Sequence, residues 1–217
     1  MKNLVIFDLD DTLLRADSEF HFTKFIVEKG MLDKNFYLKK IKAFDAEYRS
    51  GNLNFKDYMK FLLFPLIGRT KQEVNELVSS FIVYSKDTLI DDLTYELIEL
   101  HKKDKILIAS GALDFIVEGF ASFFDISEFL GTKTELIENK ITGETVGEPN
   151  FEKGKLVNVM EWCEQRDYKV EEATFYTDSI HDLPLVEKCK NSIVVSPDDK
   201  LKACLLYTSD AADEWLR

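Results

Sequence analysis

Three aspartates, Asp8, Asp10 and Asp11, fall within four positions of the segment FDLDDTLL, set among apolar residues. Carboxylates this close repel one another at neutral pH and raise each other's pKa unless positive charge lies between them. A divalent cation would resolve the conflict, since Mg²⁺ takes hard oxygen ligands and is commonly held by one or two carboxylates together with phosphate and water. A turn is the plainer reading, with Asp11 and Thr12 capping a helix that begins near Leu13. Further along come Ser110-Gly111, Lys155 in EKGKLVNVMEW, and the acids Asp178 and Asp182 of TDSIHDLP. Together these supply a possible nucleophile, a second carboxylate, a hydroxyl, a cation and two further acids. Each alone has a structural reading: a helix N-terminus for Ser110-Gly111, a solvated face for Lys155, and helix-dipole complement for Asp178 and Asp182. What favours chemistry is their conjunction, each at the end of an expected strand or helix.

The elements that must position them follow from apolar patterning. Leu4-Val5-Ile6-Phe7 is an unbroken apolar run, the mark of a strand buried on both faces, so the first acids sit where that strand ends. In open α/β sheets ligands bind outside the carboxyl ends of the strands. From about Asp17 to Asp87 the sequence shows helical periodicity, broken at Gly30, Gly51-Asn52 and Pro65, and its aromatics, Phe36, Tyr37, Phe44, Tyr48 and Phe55, read as the core of a small helical cap. From Asp91 helices alternate with short apolar strands: a helix over 93–102, the strand KILIAS, a helix over 114–124, a hairpin centred on Glu138-Asn139, a helix over 155–166, the strand ATFYT, a short helix over 183–188 and the strand SIVVS. This pattern predicts an α/β protein: a Rossmann-like, mostly parallel sheet flanked by helices, with an inserted all-helical cap. Right-handed crossovers place the ends of LVIF, KILIA and TFYT at one edge.

Composition narrows the partners. The 217 residues carry a formal net charge of −12, which disfavours nucleic acid and anionic membrane surfaces. Three cysteines, Cys163, Cys189 and Cys204, show no metal spacing and no even count for a disulfide framework, as expected of a reducing, cytoplasmic setting. The start, MKNLVIFDLD, is too briefly apolar to read as a signal peptide or a membrane span.

DxDxT, Ser followed by Gly, the spaced lysine and DSIHDLPLV, in this order, resemble the four motifs of the haloacid dehalogenase-like hydrolases, specifically the phosphoserine-phosphatase-like branch (subfamily IB) with a helical cap; EYRSGNLNF in the cap is similar too. The resemblance runs from Lys2 to about Ala203. It implies a catalytic core over 1–16 and 88–203 and a cap over 17–87. It further implies that Asp8 is the nucleophile that forms an aspartyl-phosphate and Asp10 the general acid and base. Mg²⁺ would be held by Asp8, the Asp10 carbonyl and Asp178, with Asp182 in or next to the metal shell, and Ser110, Gly111 and Lys155 would bind the phosphoryl oxygens. An acid at position 10 favours phosphate chemistry over carbon–halogen cleavage, which has no leaving alkoxide to protonate.

Substrate choice is expected in the cap, at Asp17, Glu19 and Lys60. Phosphoserine phosphatases use an arginine beyond a G-x-L-x-F segment, whereas GNLNF is followed here by Lys56 and Lys60, and lysine is a poorer bidentate partner for a carboxylate. His181 reads as a spacer beside the metal acids. The end, CLLYTSDAADEWLR, fits nothing before it and reads as a non-native tail over 204–217. The expectation is a Mg²⁺-dependent phosphomonoesterase for a small phosphorylated metabolite, phosphoserine-like or histidinol-phosphate-like. The alternatives are a phosphotransferase using the same aspartyl-phosphate and a non-catalytic phosphometabolite-binding protein.

Overall fold

The computed structural model of the chain describes residues 2–196, Leu201 and residues 215–216. Strand β1 (Leu4–Phe7) is buried at all four positions. Its residues serve two cores in alternation: Val5 and Phe7 face one apolar cluster, Leu4 and Ile6 the other. That is how an unbroken apolar run becomes the centre of a sheet covered on both faces.

After the turn that follows β1 come four helices, α1 (Ser18–Glu28), α2 (Lys34–Ser50), α3 (Phe55–Leu63) and α4 (Lys71–Leu89). Side-chain caps start each of the first three: Asp17, Asp33 and Asn54 accept the amide N–H groups of Phe20, Phe36 and Asp57. Thr70 and Glu73 form a reciprocal capping box for α4. Gly51 closes α2 in the left-handed conformation, φ 77°. These helices share a core with the sheet, because Phe22, Phe25, Leu62 and Phe81 belong to the same apolar cluster as Val5, Phe7 and Phe120. Phe36, expected in the cap core, is 54% exposed.

Then follow α5 (Asp92–Leu100), β2 (Lys105–Leu113), α6 (Asp114–Phe123), β3 (Phe129–Thr132), the hairpin β4 (Thr134–Ile137) and β5 (Lys140–Thr145), α7 (Lys153–Glu164), β6 (Thr174–Thr177), α8 (Leu183–Val186) and β7 (Asn191–Val195). Glu138 and Asn139 both take positive φ, 50° and 62°, the geometry of a tight hairpin turn. A two-residue strand, β8 (Trp215–Leu216), completes a sheet of order β3-β2-β1-β6-β7-β8 in which every pairing is parallel.

Strand β3 was not foreseen, and β2 runs three residues past Ser110. Of the tail expected to stand apart, Trp215 and Leu216 pair with Val194 and Val195 at the sheet edge, and the remainder of 204–217 lies outside the described residues. No helix among the described residues is long and apolar enough to cross a membrane.

Candidate active site

The first acid is set by the last rung of the sheet: the Asp8 N–H donates to the Tyr176 carbonyl at 2.9 Å, so its side chain leaves β1 at the edge shared with β6. The chain then turns through Leu9–Leu13, with Asp11 at φ 53°, a conformation that aspartate tolerates better than most residues. Asp10 is fixed by the start of α1, its Oδ1 accepting the Ser18 N–H at 2.7 Å. Thr12 Oγ1 donates to Asp178 Oδ1 at 3.4 Å, joining the first turn to the end of β6.

Lys155 stands at the centre. Its Nζ lies 3.0 Å from Asp8 Oδ1 and 2.6 Å from Asp182 Oδ1, with all three side chains less than a tenth exposed. The other Asp182 oxygen accepts from Thr177 Oγ1 at 2.7 Å. Asp182 is thus committed to Lys155 and Thr177, whereas Asp178 keeps the weaker Thr12 contact. Lys155 reaches this position because α7 begins hard against the preceding loop. A Cβ at Gly154 would come within 2.1 Å of the Pro149 carbonyl oxygen, so only glycine permits the approach.

Charge in the cavity is unbalanced. Burial lifts Asp8 to about 7, against the lowering pull of Lys155 and with Asp182 adding to the rise. Asp178 is held well above the usual carboxylate range by burial and then by Asp8, Asp11 and Asp182. Asp10 is likewise raised, by burial first and then by Asp17. Burial alone would lower Lys155, but Asp182 and Asp8 outweigh it and hold the ammonium above its ordinary value.

Of the residues expected to choose the substrate, Asp17 and Glu19 line the cavity. Glu19 Oε1 accepts the Leu113 N–H at 2.9 Å, and burial pushes its carboxyl up to about 8. Lys60 stands apart from them. Its Nζ meets Glu144 at 2.6 Å, 44% exposed and away from the cavity. The amphipathic helix α3 turns Tyr58, Met59 and Leu62 inward and so sends Lys60 outward.

Ser110 and Gly111 line the floor. Sequence reasoning missed the aromatic wall opposite. Phe55 of α3 stacks on Phe151 with centroids 4.7 Å apart and planes 7° from parallel. Phe151 and Tyr48 each pack against His181, at 4.9 and 4.8 Å, and the Tyr48 hydroxyl lies 3.1 Å from Ser179 Oγ. His181, read as a spacer, therefore helps join the helical insertion to the loop of acids, with Nδ1 3.0 Å from Glu152. The GNLNF segment was a usable signal for this wall, because it ends in Phe55.

Comparison with known proteins agrees with this architecture. The chain is 30% identical over 208 residues to a histidinol-phosphatase of Neisseria meningitidis serogroup C (strain 8013), covering 93% of this chain and 94% of that one. It is 26% identical to a probable phosphatase of Mycobacterium tuberculosis, over 93% of this chain and 71% of that one. A Bordetella pertussis protein of unknown function superposes with a TM-score of 0.86 at 22% identity, covering 95% and 96% of the two chains. A substrate-bound phosphoserine phosphatase superposes with a TM-score of 0.68 at 18% identity, covering 94% and 90%. The family model described as haloacid dehalogenase-like hydrolase matches residues 5–187; the chain belongs to that family and is a phosphatase within it.

Proposed function

We propose that this phosphatase is a Mg²⁺-dependent phosphomonoesterase that works through an aspartyl-phosphate at Asp8, and that its substrate is a small phosphorylated amine without a carboxylate, of the histidinol phosphate kind. The observation that carries the reading is Lys155 held between Asp8 and Asp182 in a buried cavity whose acids outnumber it.

The donor set fits the metal. Asp8, Asp178 and the Asp10 carbonyl offer hard oxygens, and the Asp8 and Asp178 carboxyls, raised by burial first and by neighbouring acids after it, would be favoured in their charged form by a cation. When bound, Mg²⁺ would offset this charge and that of the phosphoryl oxygens.

The chain's own residues then divide the work. An Asp8 oxygen attacks phosphorus, and the P–O bond to the leaving alkoxide breaks as Asp10 delivers its proton. Asp10 is suited to this, since burial first and Asp17 second raise its carboxyl well above the usual carboxylate range and so favour the protonated form, and the Ser18 N–H on Oδ1 leaves Oδ2 to carry the proton. Water next attacks phosphorus of the acyl phosphate and gives its proton to Asp10; inorganic phosphate leaves and Asp8 is restored. Ser110, the Gly111 N–H and Lys155 stabilise the phosphoryl oxygens throughout.

The other end of the cavity supports the substrate class. Asp17, Glu19 and Asp45 line it beside Phe44, Tyr48, Phe55 and Phe151, and Lys155 is the only Lys or Arg lining it among the described residues. Among the described side chains a carboxylate there would meet acids and, Lys155 apart, no lysine or arginine, whereas an ammonium beside a ring finds both partners. The Neisseria relative carries the name of a histidinol-phosphatase, which points the same way. The test is steady-state kinetics on histidinol phosphate, phosphoserine and p-nitrophenyl phosphate, with and without Mg²⁺. Expected is kcat/KM for histidinol phosphate about tenfold or more above phosphoserine, the scale of a single desolvated charge contact. The reverse ranking would overturn the substrate class. Undiminished turnover without metal would overturn the metal dependence, and product that appears only with a second acceptor would identify a phosphotransferase.

A further inference from the structure

The pairing of β2 with β3 is interrupted between Ala109 and Leu113, the stretch that carries Ser110 and Gly111. An interrupted ladder leaves buried carbonyls that some other donor must satisfy. Two side chains take over. Asn150 Nδ2 donates to the Ser110 carbonyl at 2.8 Å and to the Leu130 carbonyl at 3.2 Å. Thr132 Oγ1 donates to the Gly111 carbonyl at 2.7 Å and accepts the Asn150 N–H at 3.1 Å. Both residues are fully buried. Asn150 Oδ1 in turn accepts from Asn158 Nδ2 at 3.2 Å, one turn of α7 beyond Lys155.

The carbonyl and N–H of a trans peptide point in opposite directions. With the Ser110 carbonyl turned to Asn150, the Gly111 N–H faces away from it, and Ser110, Gly111 and Ala112 all line the cavity. The Ala112 N–H donates to Ser110 Oγ at 3.2 Å, so the same peptide geometry also orients the hydroxyl. Neither Asn150 nor Thr132 lines the cavity.

We propose that Asn150 and Thr132 are positioning residues, which aim the Gly111 N–H and the Ser110 hydroxyl at the phosphoryl oxygens and lock this cradle to the helix that carries Lys155. The inference rests on reading the cavity as a phosphomonoesterase site. It explains why the strand departs from regular pairing where it does: a continuous ladder would spend one of these two adjacent carbonyls on β3 and fix the intervening N–H groups in the sheet plane.

The experiment compares wild type, Asn150→Ala, Thr132→Val and Thr132→Ser in turnover of p-nitrophenyl phosphate with Mg²⁺ and in competitive inhibition by inorganic phosphate. Asn150→Ala and Thr132→Val should each lower kcat by about 10- to 100-fold, the scale of a misdirected oxyanion donor, and weaken phosphate inhibition in parallel. Thr132→Ser keeps the hydroxyl and should restore both. A residue with a purely structural role would lower the melting temperature but leave kcat per folded molecule and the phosphate inhibition constant unchanged; that result for a folded Asn150→Ala overturns the proposal. If Asn150→Ala does not fold, the threonine pair decides, and equal kcat for Thr132→Val and Thr132→Ser overturns it. If wild type hydrolyses no phosphomonoester, the functional reading falls, and calorimetric titration of inorganic phosphate into wild type and Thr132→Val judges the cradle alone: weaker binding by Thr132→Val supports the proposal and equal affinities overturn it.

Discussion

Glu19→Gln should stabilise the protein at neutral pH, by an amount set by the burial of this one carboxyl. Glu19 is 5% exposed; burial first, and the Asp17 charge second, raise its carboxyl from 4.5 to about 8. Between those values the folded protein holds a proton that the unfolded chain has released, so stability falls as pH rises from about 4.5 towards 8 and is unaffected by this group below that window. At 1.36 kcal/mol per pKa unit, the penalty at pH 7 is about 3 kcal/mol. Glutamine has the same shape, can still accept the Leu113 N–H, and has no charge to suppress, so the variant should gain about 3 kcal/mol at pH 7 and almost nothing near pH 4. Denaturant unfolding of both proteins from pH 4 to pH 8 measures this directly. Stability curves that stay parallel over the whole range would refute the reasoning, because they would mean that Glu19 titrates alike in both states. The same variant reads the cavity's preference: a bound substrate ammonium would favour ionised Glu19 and form with it a charge-assisted contact that glutamine lacks, so kcat/KM for histidinol phosphate should fall about tenfold, while p-nitrophenyl phosphate is turned over as before. Equal losses on both substrates would make Glu19 a structural residue only.

Asp8→Asn should reduce turnover to background, because an amide forms no acyl phosphate, and should leave melting unchanged or slightly higher by removing one of several crowded acids; a homogeneous preparation with wild-type activity would exclude a covalent intermediate at this position. Lys155→Met removes the cation that Asp8 and Asp182 share, and should cost about 3–5 kcal/mol in unfolding free energy, the scale for a buried ion pair stripped of one partner; a loss below about 1 kcal/mol would mean that solvent screens these acids. Asp178→Ala should raise the Mg²⁺ concentration for half-maximal activity by about tenfold or more, read by metal titration after chelation, and an unchanged midpoint would remove Asp178 from the metal site.

The parts of this molecule that could be read in its sequence are those where local pattern and burial agree. The run Leu4–Phe7 followed at once by acids located both the central strand and the mouth of the cavity, since a strand buried on both faces admits almost no polar residue until it ends. Strand β3 escaped notice because Phe-Leu-Gly-Thr is short and contains Gly131, a poor strand former whose Cβ would clash with the Asp114 backbone at 2.6 Å. Lys60 was named for its place after GNLNF, and distance along the chain does not tell which partner a side chain meets; here it pairs with Glu144 of the hairpin. Asn150 and Thr132 carried no signal, since a lone Asn before Phe and a Thr after Gly are ordinary loop residues until a break in the neighbouring strand gives them carbonyls to hold. The aromatic wall was half legible. Phe55 and Tyr48 were seen as cap residues, but their contacts with Phe151 and His181 join segments far apart in the chain.

Asp8 and Lys155 are separated by 147 positions and Thr12 and Asp178 by 166, and β1 finds its place only between β2 and β6. The order of synthesis therefore differs from the order of assembly. The first acids emerge early and remain hydrated, where their mutual repulsion costs little. They become a site only after the last third of the chain has delivered the lysine and the second pair of acids. Such long closures are slow compared with the helices that form in between. A nascent or partly unfolded chain is consequently no weak phosphatase but an inactive one, and activity recovered on refolding should lag behind the return of helical signal.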